Sequence, residues 1–167
     1  MSFSFLPTMV APSVTVLQPE FLAQQGIRLL MLDFDNTIVP YTTNVPQPEM
    51  EAWLRGMLAS QVQLCVVSNS RNERVKIFCK AYGLDCVTRA KKPFSKGIRE
   101  CLCRYGMEPA DCALAGDQIF TDTLGGNCAG VRTILVKPIH NHNFWLKARH
   151  VLEKPFIFAA RKRSVSE

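Results

Sequence analysis

Residues 27–37 read I-R-L-L-M-L-D-F-D-N-T, and this stretch decides how the rest of the chain is interpreted. Its apolar run Leu29–Leu32 is long enough for one strand that is buried on both faces. The run stops at Asp33, and a second acid follows at Asp35. Ligands of open parallel sheets bind outside the carboxyl ends of the strands. An isolated D-x-D pair more often caps a turn, so a functional interpretation requires matching polar groups elsewhere in the chain.

Short apolar runs alternate with helix-like segments along the rest of the chain. Helices are predicted where apolar residues recur at helical spacing, over 49–59, Glu73–Tyr82 and 95–105. Four further strands are predicted over 64–67, 84–88, 113–115 and 131–136. This alternation is typical of an α/β fold, and we expect a five-stranded parallel sheet with helices on both faces.

The composition is that of a globular protein: 167 residues, of which 47% are hydrophobic and 20% are charged. No apolar run approaches the ~20 residues that span a bilayer, and the N-terminus lacks the basic and apolar regions of a signal peptide. The seven cysteines are an odd number and include no C-x-x-C pair, which favours free thiols in a reducing compartment. We therefore expect a cytoplasmic protein.

Three segments are predicted along the chain. Residues 1–19 carry three prolines and no periodicity, which indicates an extended N-terminal arm; residues 20–155 form the α/β domain, and residues 156–167 form a basic C-terminal tail. The net charge is +6, and Lys and Arg outnumber Glu from Lys147 onward. Aromatic residues lie among these cations, as in segments that rest on an anionic membrane, so a peripheral position on the inner face of a membrane is the alternative location. In the other interpretation, the rings pack on the sheet and the cations face water.

Polar side chains follow four of the predicted strands, at the point where each strand ends. Because parallel strands end at the same edge of a sheet, we expect these side chains to lie close together. Polar groups at four strand ends along one edge are difficult to explain as ordinary surface residues. They are Asp33 and Asp35 after the first strand, Ser68 and Asn69 after the second, Lys92 after the third, and Asp117 and Asp122 after the fourth.

Transfer of a phosphoryl group is the chemistry that this set suits. Asp33 can attack phosphorus as a carboxylate nucleophile and form an aspartyl-phosphate. Asp35 can protonate the leaving alkoxide and then deprotonate the water that hydrolyses the intermediate. Ser68 can hold the phosphate at a helix N-terminus, and Lys92 can offset charge on the phosphoryl oxygens.

A carboxylate that attacks a phosphate dianion meets electrostatic repulsion, so this chemistry requires a cation. Asp33, Asp117 and Asp122, with the backbone carbonyl of Asp35, offer the hard oxygen ligands that Mg²⁺ prefers. We therefore predict a Mg²⁺ site. For Asp122, stabilisation of a helix dipole is an equally open interpretation.

These segments resemble the four motifs of the haloacid dehalogenase (HAD) superfamily of phosphatases. The first motif is similar to D-F-D-N-T, the second to S-N-S, the third to the lysine before Pro93, and the fourth to G-D-Q-I-F-T-D. Residues 14–155 resemble more closely the YqeG-like branch of subfamily IIIA, which includes mitochondrial and plastid phosphatidylglycerophosphate phosphatases. The stretches that carry this closer resemblance are P-E-F-L, R-A-K-K-P, and G-D-Q-x-x-T-D followed by L-G-G-N.

The resemblance implies a three-layer, Rossmann-like HAD fold and the site roles given above. It also places Asn69 on the substrate phosphate, although this residue could instead cap the following helix. Related phosphatases insert a cap domain next to the second motif. Here 31 residues separate Asn36 from Ser68 and 21 separate Ser70 from Lys92, which leaves no room for a cap.

The predicted function is Mg²⁺-dependent hydrolysis of phosphatidylglycerophosphate, with an anionic phospholipid as the partner. One alternative is the same chemistry on a soluble ester such as a nucleotide or sugar phosphate. Another is a protein that binds nucleic acid or the ribosome and keeps a vestigial site. The acid set argues against this last alternative, because a binding module does not need both Asp33 and Asp35. Arg71 and Arg132 are candidates to contact an anionic head group, with salt bridging as the default role.

Overall fold

The chain is organised around a sheet of parallel strands in this computed structural model, which describes residues 4–71 and 73–139. Six strands are found in the described part, in the spatial order β1-β6-β5-β2-β3-β4. Every neighbouring pair is parallel, as predicted. The strands are β1 Met9–Ala11, β2 Leu29–Leu32, β3 Gln63–Val67, β4 Asp85–Val87, β5 Cys112–Gly116 and β6 Arg132–Val136.

The prediction of five strands was wrong because it missed the first strand, β1. Met9–Ala11 lies within the segment predicted as an extended arm and pairs along the edge of β6. Hydrogen bonds link the two strands at Thr8 and Thr133: each backbone N–H donates to the hydroxyl of the other residue, at 3.1 Å. A three-residue strand carries no measurable periodicity, and its partner is distant in the chain. The sequence pattern therefore gives no local signal for it.

Helices cover both faces of the sheet, which confirms the predicted three layers. The helices are α1 Pro19–Gln24, α2 Pro48–Leu58, α3 Glu73–Tyr82, α4 Lys96–Tyr105 and α5 Leu124–Ala129. In β2, Leu30 and Leu32 pack in one core with the inward residues of α1, α2 and α3. Leu29 and Met31 pack in a second core with those of α4 and α5. Alternate residues of a strand point to opposite faces, so one apolar tetrapeptide supplies both cores.

The connections that flank the site are short. The link from β2 to β3 holds a loop and α2, and the link from β3 to β4 holds α3. Within the described residues neither link contains a further domain, so neither link places a cap domain above the carboxyl edge of the sheet. Residues 140–155 of the predicted domain, and the predicted tail 156–167, lie outside the described residues. No described helix is long and apolar enough to cross a bilayer.

Candidate active site

Asp33 and Lys92 form a buried ion pair at the carboxyl edge of the sheet. Asp33 is the first residue after β2, and its N–H donates to the carbonyl of Ala115, which continues the ladder with β5. The Lys92 ammonium lies 2.6 Å from Asp33 Oδ1 and 2.6 Å from Asp122 Oδ1. Only 7% of Asp33 and 5% of Lys92 is exposed. One buried cation is therefore shared between two carboxylates.

Burial sets the protonation chemistry of this pair. It raises the pKa of Asp33 to about 7, with Lys92 opposing the rise and Asp122 adding to it. Burial alone would lower the pKa of Lys92, but the carboxylates of Asp122 and Asp33 outweigh it and raise that pKa. Lys92 therefore stays charged at neutral pH and is held in place by two charge-assisted bonds.

Asp33, Asp117 and Asp122 form a compact acidic cluster. One carboxylate oxygen from each lies within 4.8 Å of the others, and all three residues are buried. Asp117 directly follows β5, and its Oδ1 accepts no hydrogen bond from the described residues. Burial, followed by the charges of Asp33 and Asp122, raises the pKa of Asp117 to about 9. An orphaned buried oxygen among three acids fits a divalent cation, because hard cations take oxygen ligands.

Asp122 reaches this cluster because of the backbone around it. It lies in a π-helical turn, Ile119–Thr123, and its Oδ2 accepts a hydrogen bond from the N–H of Gln118 at 3.1 Å. A Cβ atom at Gly116 would overlap the Asp122 carboxylate, so the last residue of β5 must be glycine for this approach. π-helical turns occur frequently at functional sites. This local geometry was not predicted from the sequence.

Asp35 lies apart from the acidic cluster and faces a different cation. Its Oδ1 is 3.4 Å from the Arg74 guanidinium, and both side chains are mostly buried. Burial raises the pKa of Asp35, while Arg74 and Lys92 oppose that rise. The Asp35 carboxylate is not among the three clustered acids. Metal binding through its backbone carbonyl stays a prediction.

Arg74 is one of the residues at the site that sequence reasoning missed. Its guanidinium donates to the carbonyls of Tyr41, Pro40 and Thr43 at 2.7, 3.0 and 3.0 Å, and it stacks 5.1 Å from the centroid of the Phe34 ring. It therefore ties the loop after β2 to the start of α3. Arg74 stands in the first turn of its helix, where the helix dipole disfavours a cation. That unfavourable position was the available signal.

Ser68 and Asn69 take different positions although they are adjacent. Ser68 is buried, and its hydroxyl accepts the N–H of Ser70 at 3.0 Å. The Asn69 amide accepts from the N–H of Lys92 at 2.6 Å and donates to the carbonyl of Lys92 at 2.8 Å. Asn69 thus clamps the backbone of the lysine on both sides.

These residues surround a small polar cavity of about 80 Å³. Asp33, Asp35, Ser68, Asn69 and Lys92 line it, together with Tyr41, Ser70, Gln118 and Thr121. Drug-sized ligand pockets measure ~300–1,000 Å³, so this cavity suits a phosphoryl-sized group while the rest of a substrate lies outside.

The two arginines proposed for an anionic head group are not among the residues that line this cavity. Arg132 begins β6, at the opposite edge of the sheet, and its guanidinium donates to the carbonyl of Gln25. Arg71 is exposed in the loop between β3 and α3. The structure thus brings together the seven predicted site residues, with the Asp35 carboxylate set aside from the cluster.

Comparison with known proteins gives this arrangement a family. The family described as mitochondrial PGP phosphatase matches residues 2–140. The probable phosphatase YqeG of Bacillus subtilis (strain 168) is 29% identical over 160 residues, which cover 95% of this chain and 93% of that protein. Phosphatidylglycerophosphate phosphatase 1, chloroplastic, of Chlamydomonas reinhardtii is 26% identical over 144 residues, which cover 80% of this chain and 53% of that protein.

A solved structure shows the same fold at lower identity. YfnB of Bacillus subtilis, described as a HAD-hydrolase and bound to magnesium, superposes with a TM-score of 0.52 and 14% identity over 70% of this chain and 90% of that chain. The family match spans most of the sequence and includes all four strand ends that carry the site. The chain has the fold of that HAD-hydrolase, is similar to the probable phosphatase YqeG, and belongs to the mitochondrial PGP phosphatase family.

Proposed function

We propose that the chain hydrolyses the phosphate monoester of a lipid, phosphatidylglycerophosphate, through Asp33 and with the help of Mg²⁺. The observation that carries this proposal is the environment of Asp33. Its carboxylate is buried, lies 2.6 Å from the Lys92 ammonium and belongs to a cluster with two further acids. A nucleophilic carboxylate needs this combination of fixed positive charge and nearby cation ligands to approach a phosphate dianion.

The reaction has two steps, the formation of an aspartyl-phosphate and its hydrolysis. Asp33 attacks phosphorus, the bond from phosphorus to the ester oxygen breaks, and the leaving alkoxide takes a proton from Asp35. Water then attacks phosphorus and gives a proton to Asp35, and the bond between phosphorus and the Asp33 oxygen breaks. Inorganic phosphate is released, Asp33 is again a carboxylate, and Asp35 is again protonated. The raised pKa of Asp35 supports its role as proton donor. Lys92 offsets charge on the phosphoryl oxygens throughout.

The metal ligands in this proposal are Asp33, Asp117 and Asp122, with the backbone carbonyl of Asp35. The orphaned Oδ1 of Asp117 and the 4.8 Å grouping of the acids support the assignment. When bound, Mg²⁺ would supply charge stabilisation for the transferring phosphoryl group.

The lipid substrate is supported by the family name, by the name of the algal relative, and by the shape of the site. The cavity has room for a phosphoryl-sized group, and no cap domain stands above it in the described chain. A substrate anchored in a membrane can present its head group to such an open edge. We accordingly propose a peripheral position on a membrane surface.

Phosphate release from phosphatidylglycerophosphate in mixed micelles tests the proposal, with and without Mg²⁺. Wild type is compared with Asp33→Asn and with Asp111→Asn, a control acid that lies just before β5 at the opposite edge of the sheet. Metal-dependent release that is lost only in Asp33→Asn supports mechanism and substrate together. Release from a soluble ester alone keeps the mechanism and rejects the lipid. The absence of phosphate release from both substrates, together with a salt-dependent affinity for RNA that Asp33→Asn leaves unchanged, favours the binding-protein alternative.

A further inference from the structure

The segment 88–96, which we call the Lys92 loop, carries more than the lysine that reaches Asp33. Phe94 lies two residues after Lys92, and 73% of it is exposed. Three exposed cations surround it in sequence: Arg89, Lys91 and Lys96. No acidic residue occurs between Thr88 and Arg99. The exposed side chains of the loop therefore combine one large apolar ring with positive charge.

Backbone hydrogen bonds hold this loop against the site. The N–H groups of Arg89 and Ala90 donate to the carbonyls of Ser70 and Ser68 at 3.1 and 3.0 Å, and the N–H of Phe94 donates to the carbonyl of Lys91 at 2.9 Å. Two further bonds join the Asn69 amide to the Lys92 backbone. The exposure of Phe94 thus belongs to an anchored loop, whose inner side holds the catalytic cation and whose outer side faces solvent.

An exposed phenylalanine is by itself an ordinary surface feature. Here the neighbouring charges distinguish it. Across residues 4–71 and 73–139, no ion pair engages Arg89, Lys91 or Lys96. Exposed cations beside an apolar ring complement an anionic bilayer, whose surface attracts Lys and Arg and whose interface accepts aromatic rings.

We propose that Phe94, with Arg89, Lys91 and Lys96, forms a docking surface for an anionic lipid bilayer. Because the same loop carries Lys92, which lines the cavity, docking through this surface holds the site close to the lipid head groups, where a membrane-bound phosphate ester would lie. The inference rests on the proposed function for its purpose, but the binding itself is measured separately from hydrolysis.

Co-sedimentation of the full-length chain with vesicles tests the docking surface. Vesicles of phosphatidylcholine alone are compared with vesicles that also contain phosphatidylglycerol. The docking variant is Phe94→Gln with Lys91→Gln, and the matched control is Ile77→Gln with Lys80→Gln, an exposed apolar residue and a cation on α3. Turnover of the soluble ester p-nitrophenyl phosphate by each protein reports whether the site itself is intact.

Wild type is expected to bind only the anionic vesicles. The docking variant should lose that affinity by roughly tenfold or more, while the control variant keeps it. Soluble-ester turnover should remain within about twofold in both variants. If the wild type hydrolyses no ester but the docking variant still loses vesicle binding, the proposed function fails and the docking surface stands.

Three results would overturn the docking surface. The first is a wild type that does not bind anionic vesicles. The second is a docking variant that binds as the wild type does, which would transfer membrane binding to the basic tail 156–167 or to another part of the chain. The third is an equal loss in the control variant, which would show that any reduction of surface charge and apolarity weakens binding.

Discussion

Asp33 and Asp35 are two residues apart, yet they lie in different electrostatic environments. Asp33 is buried beside Lys92 and belongs to a cluster of three acids. Asp35 is set aside from that cluster and faces Arg74, which is itself fixed by three loop carbonyls. Phe34, between them, turns into the core against Phe78. The comparison shows that neighbouring side chains set the chemistry open to each acid. The surroundings of Asp33 suit a metal cation and attack on phosphorus, and those of Asp35 suit the transfer of a proton.

The largest expected effect separates these two regions directly. Asp33→Asn should lower turnover by roughly 10⁴-fold or more on every ester, because no nucleophile remains. Asp35→Asn should lower turnover of an alkyl phosphate by about 10²–10⁴-fold but affect p-nitrophenyl phosphate much less, because nitrophenolate leaves without a proton. Steady-state kinetics on both esters checks this. Equal losses on both esters in Asp35→Asn would contradict the proton-donor role.

The second effect concerns Lys92 and the divalent cation, which both neutralise the buried acids. Lys92→Met leaves two buried carboxylates without their shared partner, so metal-free protein should lose about 3–5 kcal/mol of unfolding free energy. Turnover should also fall by about 10²–10³-fold. Urea unfolding in the presence of a chelator measures the first quantity. Added Mg²⁺ should recover part of the lost stability, since it also neutralises the acids. A variant as stable as wild type under chelation would show that the ion pair contributes little to folding.

The third effect is the pH dependence of stability. The pKa of Asp33 is raised to about 7 and that of Asp117 to about 9. The folded metal-free protein therefore binds protons more tightly than the unfolded chain, so stability is greatest below the usual aspartate pKa and falls as pH rises. The slope should reach ~1.4 kcal/mol per pH unit from Asp33 between about pH 4 and about pH 7, and the same from Asp117 between about pH 4 and about pH 9. The charge of Asp122 raises the pKa of both acids and that of Lys92 lowers it, so these two neighbours help to set the pH range of the fall.

Divalent metal should reverse this trend, because binding requires the deprotonated carboxylates. Unfolding midpoints measured across the same pH range, with chelator and with Mg²⁺, test the reversal. The stabilisation by Mg²⁺ should grow with pH. Asp117→Asn should remove most of the slope above neutral pH. A metal-free protein whose stability rises with pH across this range would contradict the burial argument for both acids.

The smallest expected effect tests how Arg74 positions Asp35. Arg74→Lys keeps a cation but cannot bond three carbonyls and a carboxylate at once. Turnover of an alkyl phosphate should fall by roughly tenfold, whereas p-nitrophenyl phosphate should be nearly unaffected, because Arg74 acts by positioning the acid. The Arg55→Lys variant, at an exposed ion pair on α2, is the matched control. A loss that is identical for both esters would indicate a general structural role for Arg74.

The sequence predicted the parts of the fold that depend on local pattern. The Leu29–Leu32 strand and the Glu73–Tyr82 helix were predicted with the bounds that the structure has. The convergence of four strand ends also followed from the sequence, because parallel strands share one carboxyl edge. What depends on long-range contact was missed. Strand β1 is defined by its pairing with β6, and Arg74 is defined by the loop it contacts.

Side-chain partners inside the site were also beyond sequence reasoning. The family resemblance placed Asn69 on the substrate phosphate, with helix capping as the alternative, and neither interpretation included the two bonds of its amide to the Lys92 backbone. The sharing of Lys92 between Asp33 and Asp122 depends on the close approach that Gly116 permits. Spacing along a chain does not specify such contacts, because they are set by the turns between the elements.

The placement of β6 has a consequence for how the chain is made. β6 lies between β5 and β1, and Thr133 bonds Thr8 across 125 positions of sequence. During synthesis the first strand emerges early, and β5 follows much later. Until Arg132 and the residues after it leave the ribosome, one edge of β5 is unpaired and β1 has no strand of the sheet to pair with. A nascent chain halted there presents the open edge of β5 to other chains, and the arrival of one five-residue strand covers that edge and adds β1 to the sheet.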